Sequence, residues 1–387
     1  MRQVYFDYNA TTPVDPEVLE AMLPYLKEGY GNPSSVHWAG RVAKAAISEA
    51  RESVASLFTC SPDELVFCGC GTEALNFAIK GSWFQRPDKR HFITTPVEHN
   101  GVAKPHSWLE SQGAVVTYLD VDTDGRINLD QLRDSIRPDT NLISIMMANN
   151  ETGIMFPVEE ISEIAKEKGV LFFCDAVQAV GKRPINLKEF PVDFLAFSGH
   201  KFYAPKGAAG LFIRNGLRLN SLIHGGGHER GRRAGTENVA GIVGLGKAAE
   251  LALKKMEKSE GKLRGFQKKI ETALEAVEGA KVVGATSERM PNTTNVVFDG
   301  VDGELLLTNL DLEGIALSSG SACSSGLSLP PRVLMAMGFP EELARTSLRI
   351  SYGVPTTEEE VDFFLKTLLE IVSNLKNSPQ KEETLDG

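Results

Sequence analysis

The sequence predicts an α/β fold with a largely parallel sheet, and two observations support this prediction. Short apolar or β-branched runs alternate with stretches of helical periodicity through the first half of the chain, and strands separated by helices are typical of parallel sheets. From about residue 239 the alternation gives way to one long stretch rich in Ala, Leu, Lys and Glu, followed by a different mixture of runs. We therefore predict a large α/β domain and a smaller α+β domain.

The elements of the large domain can be taken in chain order. A turn-rich arm over residues 1–15 precedes helical periodicity at 16–28, a loop at 31–35 and a long helix near 37–57. The predicted strands are residues 65–68, 91–95, 114–119, 141–146, 170–174, 193–197 and 209–213. Helices are predicted between them at 72–81, from residue 100, and near 128–136 and 158–168, where the spacing of apolar residues changes to that of one helix face.

The second part of the chain begins with a helix predicted over 239–277. Strands are predicted at 281–283, 295–298, 316–317 and 347–351, and helices near 303–309, 332–337 and 358–375. We expect the large domain to span 15–256, and the small domain to combine 1–14 with 257–376 and to carry the loop that contains Cys323. Residues 377–387 are polar and are predicted to form a flexible tail.

Composition and charge restrict the classes of function. The chain has 387 residues, of which 42% are hydrophobic, and a formal net charge of -10. A negative charge of this size argues against direct binding of nucleic acid or of an anionic membrane surface. No apolar run approaches the ~20 residues that a spanning helix needs, and the N-terminus has no apolar segment of signal-peptide length. We therefore expect a cytoplasmic protein.

The cysteines do not indicate disulfides or a metal site. Their number is odd and their spacing irregular, which is not typical of a disulfide framework. Cys68-x-Cys70 lacks the two-residue gap of a zinc knuckle. Cys323 lies among Ser and Gly residues, so its surroundings are expected to be polar and exposed, as reactive thiolates require. An unreactive loop thiol is the alternative for Cys323.

Polar residues follow several predicted strands at the point where each strand ends. Ligand sites in parallel sheets lie outside the carboxyl ends of the strands, so we expect these residues to meet. The segments concerned are residues 68–73, 96–100, 148–153, 175–178 and 198–201. Taken singly, each has a structural alternative: a capped turn for Thr72, a structural donor for His99, a plain turn for Asn149 and Asn150, a helix cap for Asp175, and a solvated surface turn for Lys201.

Together these segments meet the needs of one cofactor, pyridoxal phosphate. The cofactor requires a lysine for a Schiff base and a carboxylate against the pyridinium nitrogen, which Lys201 and Asp175 can supply. Burial and the adjacent cationic ring would activate the lysine, and Gln178 could donate to the ring oxygen. The phosphate could be held by Thr72, Ser198 and His200 together with the free N–H groups of a helix N-terminus.

The order of the motifs strongly resembles the NifS- and IscS-like cysteine desulfurases, which are fold-type I transferases of the class V aminotransferase-like group. The motifs are Asp175-Ala-Val-Gln178, Ser198-Gly-His-Lys201 and the segment 318–326 that contains Cys323, together with residues 5–13, 225–231, 235–239 and 348–351. The resemblance covers nearly the whole chain. The long segment after Cys323 is similar to the group with an extended mobile cysteine loop, and the Arg-x-Gly-His-His-Cys pattern of the other group is absent.

The resemblance implies a role for each site residue. Lys201 would form the Schiff base, Asp175 would pair with the ring nitrogen, and Gln178 would bond the ring oxygen. His99 would stack on the ring and assist proton transfer. The remaining roles are phosphate binding by Gly71, Thr72, Ser198 and His200, substrate carboxylate binding by Asn150 and Arg349 with Asn150 also near the cofactor, and contact with the neighbouring subunit's phosphate by Thr236. The resemblance also implies a homodimer and a mainly parallel sheet of the seven-stranded type.

The resemblance also implies the reaction. L-Cysteine would be converted into L-alanine, and Cys323 would receive the sulfur as a persulfide and pass it to an iron–sulfur scaffold or a tRNA-thiolation protein. Two alternatives of the same fold are an aminotransferase and a selenocysteine lyase, and a third is a non-catalytic binding protein. The chain departs from the usual family pattern at Cys70, Ala204 and Arg332. None of these departures is expected to touch the chemistry.

Overall fold

The computed structural model describes residues 2–319 and 331–377. The helices are α1 (Pro16–Lys27), α2 (Trp38–Phe58), α3 (Gly71–Gln85), α4 (Asn100–Ser111), α5 (Leu129–Ser135), α6 (Val158–Lys168), α7 (Val239–Glu275), α8 (Gly303–Leu312), α9 (Arg332–Ala336), α10 (Glu341–Arg345) and α11 (Glu358–Asn377). The strands are β1 (Val4–Tyr5), β2 (Leu65–Cys68), β3 (His91–Thr94), β4 (Val115–Tyr118), β5 (Thr140–Met146), β6 (Leu171–Asp175), β7 (Phe194–Ser198), β8 (Ala209–Ile213), β9 (Ala280–Val282), β10 (Thr293–Phe298), β11 (Ile315–Ala316) and β12 (Leu348–Ser351). None of the helices in these two ranges has an apolar stretch long enough to cross a membrane.

The central element is a seven-stranded sheet with the order β2-β8-β7-β6-β5-β3-β4. The pairs β3–β4, β3–β5, β5–β6 and β6–β7 are parallel, whereas β8 runs antiparallel to both of its neighbours. The predicted mainly parallel α/β sheet is therefore confirmed. Because β2 is antiparallel to β8, it runs in the same direction as the parallel strands. The carboxyl ends of six strands thus lie along one edge of the sheet, where side chains from distant parts of the chain can meet.

The inner strands of this sheet are buried on both faces, as is usual for parallel sheets covered by helices, whereas the edge strand β4 is partly exposed. Every residue of β5 and of β7 is buried. Two apolar clusters lie against the sheet: one includes Phe172 and Phe197, and the other includes Phe173 and Phe194. Neighbouring residues of one strand thus belong to different clusters, because successive side chains of a strand point to opposite faces.

Helix α3 continues four residues beyond the predicted end at Gly81. The sequence favours a helix stop at a glycine, but here the glycine is needed for packing. A Cβ at Gly81 would lie 3.0 Å from the carbonyl oxygen of Asn220 and 3.2 Å from the Cβ of Leu219. The glycine therefore lets the segment around Leu219 pass close to the middle of the helix.

A third apolar cluster belongs to the second part of the chain. It is built on the antiparallel sheet β12-β10-β9 and on α8 and α11, and it includes Val4 and Phe6 from the N-terminal arm. Helix α7 contributes Leu245 and Met256 to the cluster that includes Phe172 and Phe197. The same helix contributes Leu263 and Ile270 to the third cluster. The predicted boundary at 256/257 falls between these contributions, inside the helix, and the domain limits stay a prediction. The predicted tail at 377–387 lies beyond the described residues except for Asn377, which ends α11.

The N-terminal arm connects the third cluster to the edge of the large sheet. Strand β1 pairs in parallel with β11, and Asp7 forms an isolated bridge with Ser351 at the end of β12. Further along, the backbone N–H of Thr12 donates to the carbonyl oxygen of His200. The arm therefore lies against the segment that follows β7.

Candidate active site

A cavity of about 310 Å³ opens at the carboxyl edge of the large sheet. Its lining includes the following predicted site residues: Gly71, Thr72, His99, Asn150, Asp175, Gln178, Ser198, His200, Lys201 and Arg349. Thr236 is exposed and does not line this cavity. Cys323 lies outside the described residues. The structure thus brings together in one place the strand-end residues that the sequence predicts should meet.

Lys201 lies in a short 3-10 turn, Gly199–Lys201, directly after β7. Its Nζ donates to the backbone oxygens of Asn9 (2.6 Å) and Ala10 (2.8 Å) in the N-terminal arm. Burial and, to a smaller extent, the positive charge of Arg349 lower the pKa of Lys201 to about 8. A larger fraction of this amine than of an ordinary lysine is therefore uncharged near neutral pH, and the uncharged form is the one that can act as a nucleophile or a base.

Asp175 is the last residue of β6 and is 6% exposed. Its Oδ1 accepts a hydrogen bond from the N–H of Val177 at 3.0 Å, and no helix follows it before β7, so it does not cap a helix. Burial raises the pKa of Asp175 to about 6, although the bond from Val177 and the charge of Lys201 act in the opposite direction. A buried carboxyl of this kind favours a cationic partner in the cavity.

His99 is the N-cap residue of α4, and its Nδ1 accepts a hydrogen bond from the N–H of Gly101 at 2.9 Å. The neutral ring therefore carries its proton on Nε2. Burial, followed by the positive charges of Lys201 and Arg332, lowers the pKa of His99 to about 4. The ring is consequently flat, uncharged and fixed in one tautomer at neutral pH.

The N-terminus of α3 provides a site for an anion. The N-cap residue is Cys70, which makes no side-chain capping bond, so the proposed cap by Thr72 is wrong and the first N–H groups of the helix remain available. A Cβ at Gly71 would lie 3.3 Å from the Cβ of Ser198, so glycine permits the close approach of β7 here. The hydroxyl of Ser198, the ring of His200 and these N–H groups together fit a phosphate group.

Arg349 brings a positive charge to the opposite side of the cavity. It lies on β12, where its Nη2 is 2.7 Å from Oδ1 of Asp7 and its Nη1 donates to the backbone oxygen of Asn150 at 3.1 Å. The Nε of Arg349 is buried and, within the described ranges, has no hydrogen-bond partner. The guanidinium is thus only partly used by the protein and could receive a carboxylate.

Asn9 is a site residue that sequence reasoning misses. Its backbone oxygen accepts bonds from Lys201 and from Nε2 of Gln178. Its side chain is held between Asn292, which donates to Oδ1, and Thr293, which accepts from Nδ2. Asn9 therefore fixes the position of the arm and occupies two of the cavity's donors. The motif of the arm was visible in the sequence only through the family resemblance.

Sequence reasoning also misses Lys182, which contacts the cavity residue Gln178. Its Nζ lies 3.3 Å from Oε1 of Gln178, and because an ammonium group can only donate, the amide nitrogen of Gln178 is left to face Asn9. Burial, then the charges of Lys201 and Arg349, lower the pKa of Lys182 to about 7. The only sequence signal was a lysine four positions after Gln178.

Glu98, immediately before His99, is fully buried. Its Oε1 accepts from the hydroxyl of Thr95 at 2.9 Å and from the N–H of Met146 at 3.1 Å. In the part of the chain that the structure describes, Oε2 has no partner. Burial raises the pKa of Glu98 to about 8, so an acid that the sequence analysis did not single out lies beneath the site in a largely protonated form at neutral pH.

Two of the three departures from the family pattern lie at or beside the cavity. Cys70 is exposed and lines the cavity at the N-terminus of α3. Arg332 donates from Nη1 and Nη2 to the backbone oxygens of Pro96 and Glu98, next to His99. Only Ala204, which is 1% exposed, is a packing position outside the cavity lining.

The chain enters the segment of Cys323 at the rim of the cavity. The backbone N–H of Arg349 donates to the oxygen of Ser318 at 2.8 Å, and Ser318 and Arg349 form an isolated antiparallel bridge. Cys323 follows Ser319 by four residues along the chain.

Comparisons with known proteins agree with this geometry. The family model for the aminotransferases of class V matches residues 4–364. A protein named cysteine desulfurase from Trichormus azollae is 48% identical over 99% of this chain and 96% of its own length.

Two solved structures share the fold over nearly their whole length. A NifS-like protein has a TM-score of 0.91 and 40% sequence identity, covering 97% of this chain and all of that one. A structure described as SspA in complex with cysteine has a TM-score of 0.81 and 36% identity, covering 91% of this chain and 99% of that one. The similarity thus includes both parts of the chain.

Proposed function

The chain belongs to the class V aminotransferase family and, within it, to the cysteine desulfurases, and we propose that it converts L-cysteine into L-alanine with transfer of the sulfur to Cys323. The observation that carries this proposal is the meeting of Lys201, Asp175 and the uncapped N-terminus of α3 in one cavity. A lysine with a lowered pKa, a buried carboxyl and an anion site are the groups that pyridoxal phosphate requires.

The residues of the cavity fit pyridoxal phosphate as the resident cofactor. Gly71, Thr72, Ser198 and His200 would hold its phosphate, Asp175 its ring nitrogen, Gln178 its ring oxygen and Lys201 its aldehyde carbon. When bound, the cofactor supplies an electron sink for the bond that breaks at the substrate Cα. The buried carboxylate of Asp175 keeps the ring nitrogen protonated, because a charged partner offsets the cost of burying the carboxylate.

The roles of the protein groups follow from their protonation states. The uncharged Nζ of Lys201, which its lowered pKa makes more available, would accept the proton from the substrate Cα. The neutral ring of His99 would lie against the cofactor ring and could donate from Nε2, because Nδ1 accepts the bond from the N–H of Gly101. Arg349 and Asn150 hold the substrate carboxylate on the opposite side.

Sulfur transfer needs a thiolate outside the cofactor cavity. Cys323 as a thiolate attacks the sulfur atom of the bound substrate; an S–S bond forms and the C–S bond breaks, with its electron pair left on the carbon fragment. The fragment takes up protons and leaves as L-alanine. The persulfide on Cys323 then passes to an acceptor, which we propose to be an iron–sulfur scaffold or a tRNA-thiolation protein. A cytoplasmic location stays a prediction.

Single-turnover mass spectrometry tests this assignment. After one equivalent of L-cysteine is added to the cofactor-loaded protein, the peptide that contains Cys323 should gain the mass of one sulfur atom. Cys70→Ser is the matched control, because Cys70 is the exposed thiol in the cavity lining, and this variant should still show the gain. Sulfur found on Cys70, or on no cysteine, would contradict the proposal.

We also propose that the functional unit is a homodimer in which Thr236 reaches the partner's phosphate site. Thr236 is exposed and lies outside its own cavity. Its neighbour Glu237 bonds His228 at 2.7 Å, and His228 lies 3.5 Å from the hydroxyl of Ser34. The loop of Ser34 leads to Trp38, which is 67% exposed. An exposed aromatic side chain on the segment that follows Ser34 is consistent with a buried interface between two copies.

Light scattering of the purified chain tests the dimer. We expect a mass of about twice the 42.1 kDa of one chain, independent of dilution through the micromolar range. A monomer that is fully loaded with cofactor and fully active would rule out the role of Thr236 across the interface.

A further inference from the structure

Arg332 makes an unusual contact for an exposed arginine at the start of a short helix. It is the first residue of α9 and follows the undescribed segment 320–330 by two positions. Its Nη1 donates to the backbone oxygen of Pro96 and its Nη2 to that of Glu98. These partners lie 236 and 234 residues away in the sequence, so the contact is a tertiary one that links α9 to the segment after β3.

The two acceptors belong to the turn that carries His99. The oxygen of the residue between them, Val97, accepts a bond from Nδ2 of the buried Asn149 at 3.0 Å. Three successive carbonyl groups of this turn are therefore held by side chains from other elements, two of them by the same guanidinium. The side chain of Glu98 adds a further bond to the N–H of Met146. Such a turn has little freedom to change the direction of the residue that follows it.

A guanidinium suits this task better than any other cation. Its N–H groups lie in one plane in a fixed fork, so two acceptors can be met at once with little loss of side-chain freedom. An ammonium group is a point charge on a flexible stem and has no such fork. The geometry at Pro96 and Glu98 thus depends on arginine, and not only on a positive charge.

We propose that Arg332 is a positioning residue for the reaction, which fixes the turn of residues 96–98 and thereby the ring of His99 over the cofactor. The inference rests on the role of His99 given under the proposed function. It also assigns a purpose to a position at which the chain departs from its family's usual pattern. Arg332 begins the helix that follows the Cys323 segment. The same contact therefore holds the start of α9 beside the turn that carries His99.

The charge of Arg332 acts on His99 in addition to its hydrogen bonds. The charged groups that act on the His99 ring are Lys201, on the turn after β7, and Arg332; both lower its pKa. The neighbouring carboxyls, Glu98 in the same turn and Asp175 at the end of β6, are buried and have raised pKa values. Charge and geometry can therefore be separated by substitution, because lysine keeps the charge and loses the fork.

The experiment compares Arg332→Lys and Arg332→Gln in the cofactor-loaded protein. Histidine ring signals are followed by NMR against pH, with His99 assigned from a His99→Gln sample, and sulfur transfer to Cys323 is followed in a single turnover with L-cysteine. Arg332→Gln should raise the titration midpoint of His99 by roughly half a pH unit, a small shift because the charge is exposed to solvent. It should also slow sulfur transfer about tenfold, as misplaced catalytic groups do. Arg332→Lys should slow transfer while leaving the midpoint close to that of the parent.

Arg345→Gln is the matched control, since Arg345 is another arginine of this region and pairs with Glu341 on α10. It should change neither the midpoint nor the rate. A parental midpoint and a parental rate in Arg332→Gln would overturn the proposal. The titration needs no turnover, so a parent protein that fails to place sulfur on Cys323 would count against the proposed reaction and would leave the positioning role of Arg332 testable.

Discussion

Lys201→Ala is expected to lower the rate of alanine formation from L-cysteine by about 10²- to 10⁴-fold, the range that a positioned acid–base group supplies. Lys201 is the only lysine among the described residues that line the cavity, and its Nζ donates to the carbonyl oxygens of Asn9 and Ala10. Methyl in place of the amine removes both the covalent link to the cofactor and the base. Alanine release under excess pyridoxal phosphate measures the loss, and borohydride reduction followed by mass spectrometry measures the link.

Lys188→Ala is the matched control, because Lys188 is exposed and lies outside the cavity lining. It should retain parental activity and covalent cofactor. The circular dichroism spectrum should be unchanged in both variants, since Lys201 bonds only backbone oxygens of the arm among the described residues. A Lys201→Ala protein with more than about a tenth of the parental rate would exclude Lys201 as the base, given the expected range.

The position of Lys201 could be predicted because one geometric rule governs parallel sheets. Asp175 and Lys201 follow strands that run in the same direction, so their side chains emerge at the same edge. Runs of apolar residues marked these strands clearly, and the sequence therefore predicted that Asp175 and Lys201 meet at one edge of the sheet, where both line the cavity. His99 was found by the same rule, since it follows β3.

The same rule could not find residues that enter the site from elsewhere. Asn9 lies 192 residues from Lys201 along the chain and reaches it through the arm, whose own sequence only indicates turns. Lys182 acts through Gln178, and its contact depends on how the segment between β6 and β7 folds back. A sequence pattern tells which residues are neighbours along an element, whereas these contacts depend on which elements lie opposite each other.

Arg332 shows the limit of reading a departure from a family pattern. A change of residue type near the end of a loop carries no information on what the new side chain contacts. The contact arises because α9 packs beside the turn of residues 96–98. Glu98 could not be predicted for a related reason, because the burial of a single carboxyl is a property of the fold and not of the local sequence.

That burial leads to the second large expected effect. The pKa of Glu98 is raised from 4.5 to about 8 by burial, so folding disfavours its charged form. The contribution to stability is therefore complete below about pH 4.5 and is lost as the pH rises towards 8 and beyond. At 1.36 kcal/mol per pH unit, the loss reaches roughly 5 kcal/mol. The parent protein should become less stable through this range by that amount from Glu98 alone.

Glu98→Gln removes the titrating group and keeps the acceptor. The amide oxygen can still receive Thr95 and the N–H of Met146, as Oε1 does in the parent, while the amide nitrogen takes the place of Oε2, which has no partner in residues 2–319 and 331–377. An unpaired buried donor costs about 1–3 kcal/mol at every pH. The variant should thus be the less stable protein near pH 5 and the more stable one above pH 8.

Urea denaturation of both proteins, stripped of cofactor, from pH 5 to 8.5 measures the difference. Glu151 and Asp175 also have raised pKa values, so the parent will lose stability for several reasons. These groups are present in both proteins, and to first order their effect cancels when the two free energies of unfolding are subtracted. The difference should move in favour of the glutamine by several kcal/mol across the range. A difference that stays constant would mean that Glu98 binds the same number of protons in the folded and the unfolded protein across this range, because the slope depends on that difference.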